Sequence, residues 1–299
     1  MRLSLWPNAQ QPWDQLVAEV RHAEDTRWDG VYLADHFMGD GGGFGAPEVP
    51  NLESTSALSA LGAVTERLRV GPLVLGNTYR HPAVVANWAA TLDQVTGGRV
   101  VLGVGAGWQR NEHEQYGITL PPPGARLRRL DEACTVIRSL LSEPRTTFQG
   151  RHYELHDALC EPKPVQERLP LLIGGKGDRM LGLVARHADE WNMWGLPDTI
   201  AERAAVLDRH CESIGRDPST IRRSTQALVM VTDDAERARA FVERVAPRAA
   251  IAGPAGHFAE VVERWAEVGI DEVIVPDGGL GHGDERLARL DALRAAVPH

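Results

Sequence analysis

The sequence predicts an α/β fold, a (β/α)8 TIM barrel with loop insertions, on three observations. Eight short apolar runs alternate with helical segments, and that alternation implies a parallel sheet. Most of the runs end in glycine or in polar residues. The length of 299 residues suits eight βα units, since such barrels take roughly 250 residues before insertions. A doubly wound open sheet competes, but it wants a Gly-x-Gly-x-x-Gly turn after an early strand, and the first two strands lack one. No linker and no repeat beyond the βα unit is visible, so residues 1–299 read as one domain.

The elements follow in order. Arg2 to Trp6 is a strand ended by Pro7-Asn8. Trp13 to Glu24 has helical spacing, with Trp13, Leu16, Val17, Val20 and Ala23 on one stripe. Val31 to Ala34 is the second strand, ending in Asp35-His36-Phe37; a glycine-rich loop from Gly39 to Asn51 follows, long enough to be a lid. A helix over Leu52–Thr65 leads to the third strand, which runs into Gly76-Asn77, a pair that tolerates positive φ. Pro82 opens a helix that Gly97-Gly98 closes at Thr96. Val100 to Val104 is the fourth strand, ending in Gly105-Ala106-Gly107-Trp108 and a polar loop to Pro123. Arg126 to Leu141 is amphipathic through Leu127, Leu130, Cys134, Ile137 and Leu141.

Thr146 to Leu155 reads as an inserted hairpin around Gln149-Gly150. Pro170 to Ile173 is the fifth strand, leading into Gly174-Gly175-Lys176-Gly177 and a helix over Met180–Ala188. Glu190 to Met193 is the sixth, ending in Trp194-Gly195 before a helix over Thr199–Ile214. Arg222 to Val231 carries the seventh, with a helix over Asp234–Val245 capped by Thr232 or Asp233. A helix over Ala255–Val268, the eighth strand Asp271–Val275 and a helix over Asp284–Val297 complete the chain.

Composition narrows the function. The 43% hydrophobic and 24% charged residues are those of a globular protein. A net charge of -9 argues against a nucleic-acid surface. No apolar run predicts a signal peptide or membrane span. Cys134, Cys160 and Cys211 are scattered and odd in number, which suits free thiols in a reducing cytoplasm.

Strand C-termini form one rim of such a barrel, where ligands bind. Glycines there let the backbone approach a ligand. The stretch Ile173–Asp178 places a glycine-rich turn and Lys176 at a helix start. That suits a phosphate, and equally a tight turn needed for packing. Asp35-His36 is an acid/base pair, a metal site or a capping pair; the sparse rim histidines, His36 and His81, speak against metal, so none is expected. Trp108 and Trp194 flank a planar ring, bound an apolar substrate cavity, or belong to the core. Asn111 offers an amide to a heteroaromatic edge.

VYLADHF, GPLVLGNTYRHP, GGRVVLGVGAGWQRNEHEQYG, RLDEACTVIRSL with FQGRHYEL, LPLLIGGKGDR and ADEWN, in that order, resemble the luciferase-like monooxygenase superfamily. They resemble most its branch of oxidoreductases dependent on the deazaflavin coenzyme F420. The likeness covers about residues 1–200. It implies a luciferase-like barrel, a homodimer, and F420, or alternatively FMN, at the strand ends. It implies a non-prolyl cis peptide at Leu73-Val74 backing the cofactor ring. It implies Asp35 and His36 near the reacting carbon, and Asn111 on the ring edge. Gly174, Gly175, Lys176 and Gly177 would hold the phosphate, with Asn77, Gly107 and Trp108 completing the cofactor site. One departure stands out: the sugar-phosphate dehydrogenases of this branch have a catalytic glutamate where this chain has Trp108, which cannot exchange a proton. A bulkier apolar substrate, bounded by Trp108 and Trp194, is therefore expected. The expected function is hydride transfer between F420 and a small organic substrate. The alternatives are an FMN-dependent monooxygenase and a binding protein without chemistry. The surplus of apolar residues on the second and third helices (Leu58, Leu61, Val84, Val85, Trp88, Leu92) fits the homodimer.

Overall fold

Strands covered on both faces need apolar residues at nearly every position. Seven such runs and one polar one, Arg222–Gln226 (RRSTQ), form the parallel strands of the computed structural model, which describes residues 1–297. They are β1 (Arg2–Trp6), β2 (Gly30–Leu33), β3 (Arg69–Pro72, resumed at Leu75–Gly76), β4 (Leu102–Gly105), β5 (Leu171–Gly174), β6 (Glu190–Trp194), β7 (Arg222–Gln226) and β8 (Glu272–Pro276). The hydrogen-bonded order 3-2-1-8-7-6-5-4 returns to the resumed part of β3. Leu75 lies beside Val104, and Val70 bridges Val100. The sheet thus closes into the expected barrel. The Leu73–Val74 peptide, at the interruption of β3, is cis, where the resemblance places one.

Two apolar layers result. The larger lies between barrel and helices, from Leu3 and Leu5 through Leu58 and Leu61 to Leu290 and Leu293. The smaller fills the barrel: Trp6, Tyr32, Leu73, Val101, Leu172 and Ile274. Below it, at the strand N-termini, Arg69 bridges the buried carboxylates of Glu190 and Glu272. Ser4 Oγ donates to Glu272 at 2.5 Å.

Four expectations are corrected. The polar loop after Trp108 contains a helix, Arg110–Tyr116, with Gly117 in the left-handed conformation ending it. The seventh strand breaks after Gln226, and Leu228–Val231 leaves the barrel to pair with Ala250–Gly253. The cap of the Ala235–Val245 helix is Asp234, which accepts from Glu236 and Arg237 N–H. The Pro123–Ser142 helix begins earlier than predicted, with proline in its first turn. The hairpin appears as Thr146–Gln149 and Glu154–Ala158. Among the described residues no helix is long and apolar enough to cross a membrane.

Candidate active site

β2 leads through Ala34 into two polar residues, Asp35 and His36, whose side chains take different directions. Asp35 is 4% exposed. It receives both terminal nitrogens of Arg80, at 2.8 and 2.9 Å, and the Gly76 N–H at 2.8 Å. Arg80 reaches on to Glu53 at 2.5 Å. Burial pushes the Asp35 carboxyl up, against the pull of Arg80. With its oxygens occupied, Asp35 ties the end of β2 to the resumed β3 and is a poor proton carrier.

His36 turns the other way. Its Nδ1 lies 2.9 Å from Glu112 Oε1. Glu112 is fully buried and also accepts from the Phe37 N–H at 2.8 Å and from the Tyr79 hydroxyl. Burial works to raise the Glu112 carboxyl, but hydrogen bonds from His36, Tyr79 and Phe37 override it and hold it below its ordinary value. Burial and then the Glu112 hydrogen bond push the Tyr79 phenol up, so it stays protonated. His36 Nε2 has no hydrogen-bond partner among the described residues, and the residue lines two cavities.

One of the two cavities, of about 410 Å³, sits on the barrel mouth. Leu73, Val74, Gly107, Trp108, Gly174, Gly175, Lys176 and Trp194 line it, together with Asp35 and His36. A second cavity of about 410 Å³ adjoins it, between Asn8, Met38, Leu228 and Arg248. His36, Trp6, Phe44 and Trp194 line both and stand at their junction. Phe44 comes from the glycine-rich loop, which Asp40 shapes by accepting from Gly42 and Phe44 N–H. Its ring lies 4.9 Å from His36 and 5.9 Å from Trp108. Trp108 is 54% exposed, which rules out a core role. A larger concavity of about 970 Å³ lies at the opposite strand ends, among charged residues such as Arg21, Glu24 and Arg67. It has none of the rim features.

The rim glycines serve two purposes. A Cβ on Gly105 or Gly174 would lie 2.7 or 3.2 Å from the Val74 methyls, so these two glycines make room for Val74 while also lining the cavity. Gly175 differs: its φ is +143°, and a Cβ would meet Met180 Cγ at 2.8 Å. Its carbonyl accepts from Trp191 Nε1 at 2.8 Å. Lys176 and Gly177 are exposed at the start of the Asp178–His187 helix, whose first N–H groups have no intrahelical acceptor.

Three expected residues lie off the cavities. Asn77 Nδ2 donates to Tyr153 at 3.3 Å. Asn111 Nδ2 donates to Gly39 O at 2.8 Å, pinning the glycine-rich loop to the Arg110–Tyr116 helix. Gly177 lies just outside the lining. Sequence reasoning missed the roles of Glu112, Tyr79, Arg80 and Phe44.

The luciferase-like monooxygenase family model matches residues 1–293. An F420-dependent glucose-6-phosphate dehydrogenase of Microbacterium testaceum is 40% identical over 171 residues, covering 56% of this chain and 48% of that protein. A pyrimidine monooxygenase, RutA of Cronobacter sakazakii, is 32% identical over 200 residues, covering 63% and 57%. The chain thus spans about half the length of these curated relatives. An F420-dependent secondary alcohol dehydrogenase, solved with an F420–acetone adduct, superposes with a TM-score of 0.86 at 21% identity, covering 100% of this chain and 99% of that one. This confirms the fold.

Proposed function

The chain belongs to the luciferase-like monooxygenase family, and from that premise we propose that it is an F420-dependent oxidoreductase acting on a small organic substrate. The position of His36 carries the reading: a ring nitrogen without a partner stands between two adjoining cavities. The first cavity fits a flat ring with a phosphate-bearing tail. Leu73, Val74 and Trp194 supply apolar walls, and Gly175 with the N–H groups after it supplies an anion cradle. F420, when bound, supplies a ring carbon that gives or takes a hydride. The substrate sits at the junction of the two cavities, where it can touch that ring carbon, with Trp108 on the first-cavity side and Trp194 lining both. His36 Nε2 takes the proton of an alcohol or returns it to a carbonyl. Trp6, Phe44 and Trp194 exclude water from that junction. Asp35, with Arg80, holds the rim in shape. The pyrimidine monooxygenase relative supports a second reading, an FMN-dependent monooxygenase.

Titrating the purified protein with F420 and FMN side by side, followed by fluorescence, decides between them. Micromolar F420 binding is expected; FMN binding alone would overturn the assignment. In the same titration Lys176→Ala should weaken binding about ten- to a hundredfold, because a charge-assisted contact contributes roughly 1.5–3 kcal/mol. Gly175→Val should be worse, since valine fits neither the φ nor the space beside Met180. Wild-type affinity in both variants would move the phosphate elsewhere on the rim.

We also propose a homodimer acting in the cytoplasm. The free, buried state of Cys134, Cys160 and Cys211 suits a reducing compartment. For the dimer, Leu58, Leu61, Val85 and Leu92 prove to be buried within the chain, leaving Val84, 61% exposed, and the half-buried Trp88 to support it. Light scattering at micromolar concentration should give twice the 32.7 kDa chain mass; a monomer would refute the proposal.

A further inference from the structure

We propose that Glu112 is a positioning residue that fixes which nitrogen of His36 carries the proton. The proposal rests on the reading in which His36 moves a proton, but its first test does not.

Glu112 is fully buried, and its oxygens receive three donors: His36, Phe37 N–H and Tyr79. An ionised carboxylate only accepts. The His36 nitrogen 2.9 Å away, Nδ1, must therefore be the one bearing hydrogen. In the neutral ring that leaves Nε2 bare, as a base facing the cavities requires. Tyr79 donates to the same oxygen that His36 uses, so its hydroxyl hydrogen is not available to His36. The backbone at His36 is held as well: its carbonyl accepts from Asn51 Nδ2 and the next N–H binds Glu112. Ring orientation and tautomer are thus both set from Glu112's side of the imidazole.

Glu112→Gln makes the test sharp because the amide cannot satisfy all three donors. If its oxygen stays on the Phe37 N–H, its NH2 faces His36 Nδ1. The ring then accepts at Nδ1 and carries its hydrogen on Nε2, the wrong side for a base. If the amide is reversed, two N–H groups collide at Phe37. The first arrangement should prevail.

The experiment is long-range ¹H–¹⁵N NMR of the His36 ring in cofactor-free protein, at a pH where the ring is neutral. The wild type should show the Nδ1–H form, Glu112→Gln the Nε2–H form, and Glu112→Asp, still an acceptor only, the wild-type form. With F420 and the best substrate of an alcohol and ketone panel, Glu112→Gln should lower kcat at least tenfold, with the cofactor Kd within twofold of wild type. An Nε2–H signature in the wild type overturns the proposal even if no variant folds. So does an unchanged tautomer in Glu112→Gln. If the tautomers behave as expected but F420 does not bind, the positioning role stands and the cofactor reading falls.

Discussion

His36→Asn should reduce turnover by about two to four orders of magnitude, the range that general acid–base groups contribute, while leaving cofactor affinity and melting temperature near wild type. Asparagine is the informative substitution. Its Nδ2 can replace the Nδ1–H of histidine and still donate to Glu112, so the buried carboxylate keeps its partner. What disappears is the nitrogen on the far side of the ring, the one shared by the two cavities. A fall in kcat and kcat/KM together marks loss of an interaction made in the transition state. A rise in KM alone would mean that His36 only shapes the substrate cavity. Steady-state rates with F420 and the best substrate of an alcohol and ketone panel give the answer, and turnover within threefold of wild type would remove His36 from the chemistry.

The barrel was legible because most of its strands are buried on both faces and read as apolar runs; β7, RRSTQ, does not, and the apolar part of that stretch, Leu228–Val231, lies outside the barrel. The rim was legible because polar and glycine residues follow those runs. Elements were missed where this signal is weak. Arg110–Tyr116 consists of RNEHEQY, with no apolar stripe to mark a helix. Ala250–Gly253 is four residues long and pairs only with Leu228–Val231, outside the barrel. Asp35-His36 was visible as a pair, but not the divergence of its side chains, because their partners come from distant segments. Arg80 is 45 positions from Asp35, and Glu112 is 76 from His36. Glu112 carried no signal beyond its place next to Asn111. Spacing could not show that one of these neighbours turns to the histidine and the other to Gly39. The rim glycines were visible in the sequence, but that Gly105 and Gly174 make room for Val74 depends on a backbone bulge that composition does not reveal.

Arg69→Met should cost about 3–5 kcal/mol of stability, the penalty for stranding a buried charge, or on the order of 10 °C in melting temperature for a chain of this size. The guanidinium stands between Glu190 and Glu272, which are 3% and 2% exposed. Methionine would occupy much of the same volume but leave two carboxylates facing each other beneath the barrel core. Glu190 already shows the tendency: burial raises its carboxyl, with Arg69 pulling it back. Without Arg69 the rise should be larger. The sign for pH follows. A carboxyl whose folded pKa exceeds its unfolded value binds protons more readily when folded, so it penalises the fold at high pH and is relieved as pH falls through the raised value. The deficit of Arg69→Met against wild type should therefore be greatest above neutrality and shrink on mild acidification. Arg110→Ala is the control, because its pair with Glu114 is 79% and 65% exposed and such pairs contribute only about 0–1 kcal/mol. Denaturant unfolding of both variants at two pH values tests the account. Equal losses in the two, or a deficit in Arg69→Met that grows with acidification, would mean that the cluster is not held as the burial and distances indicate.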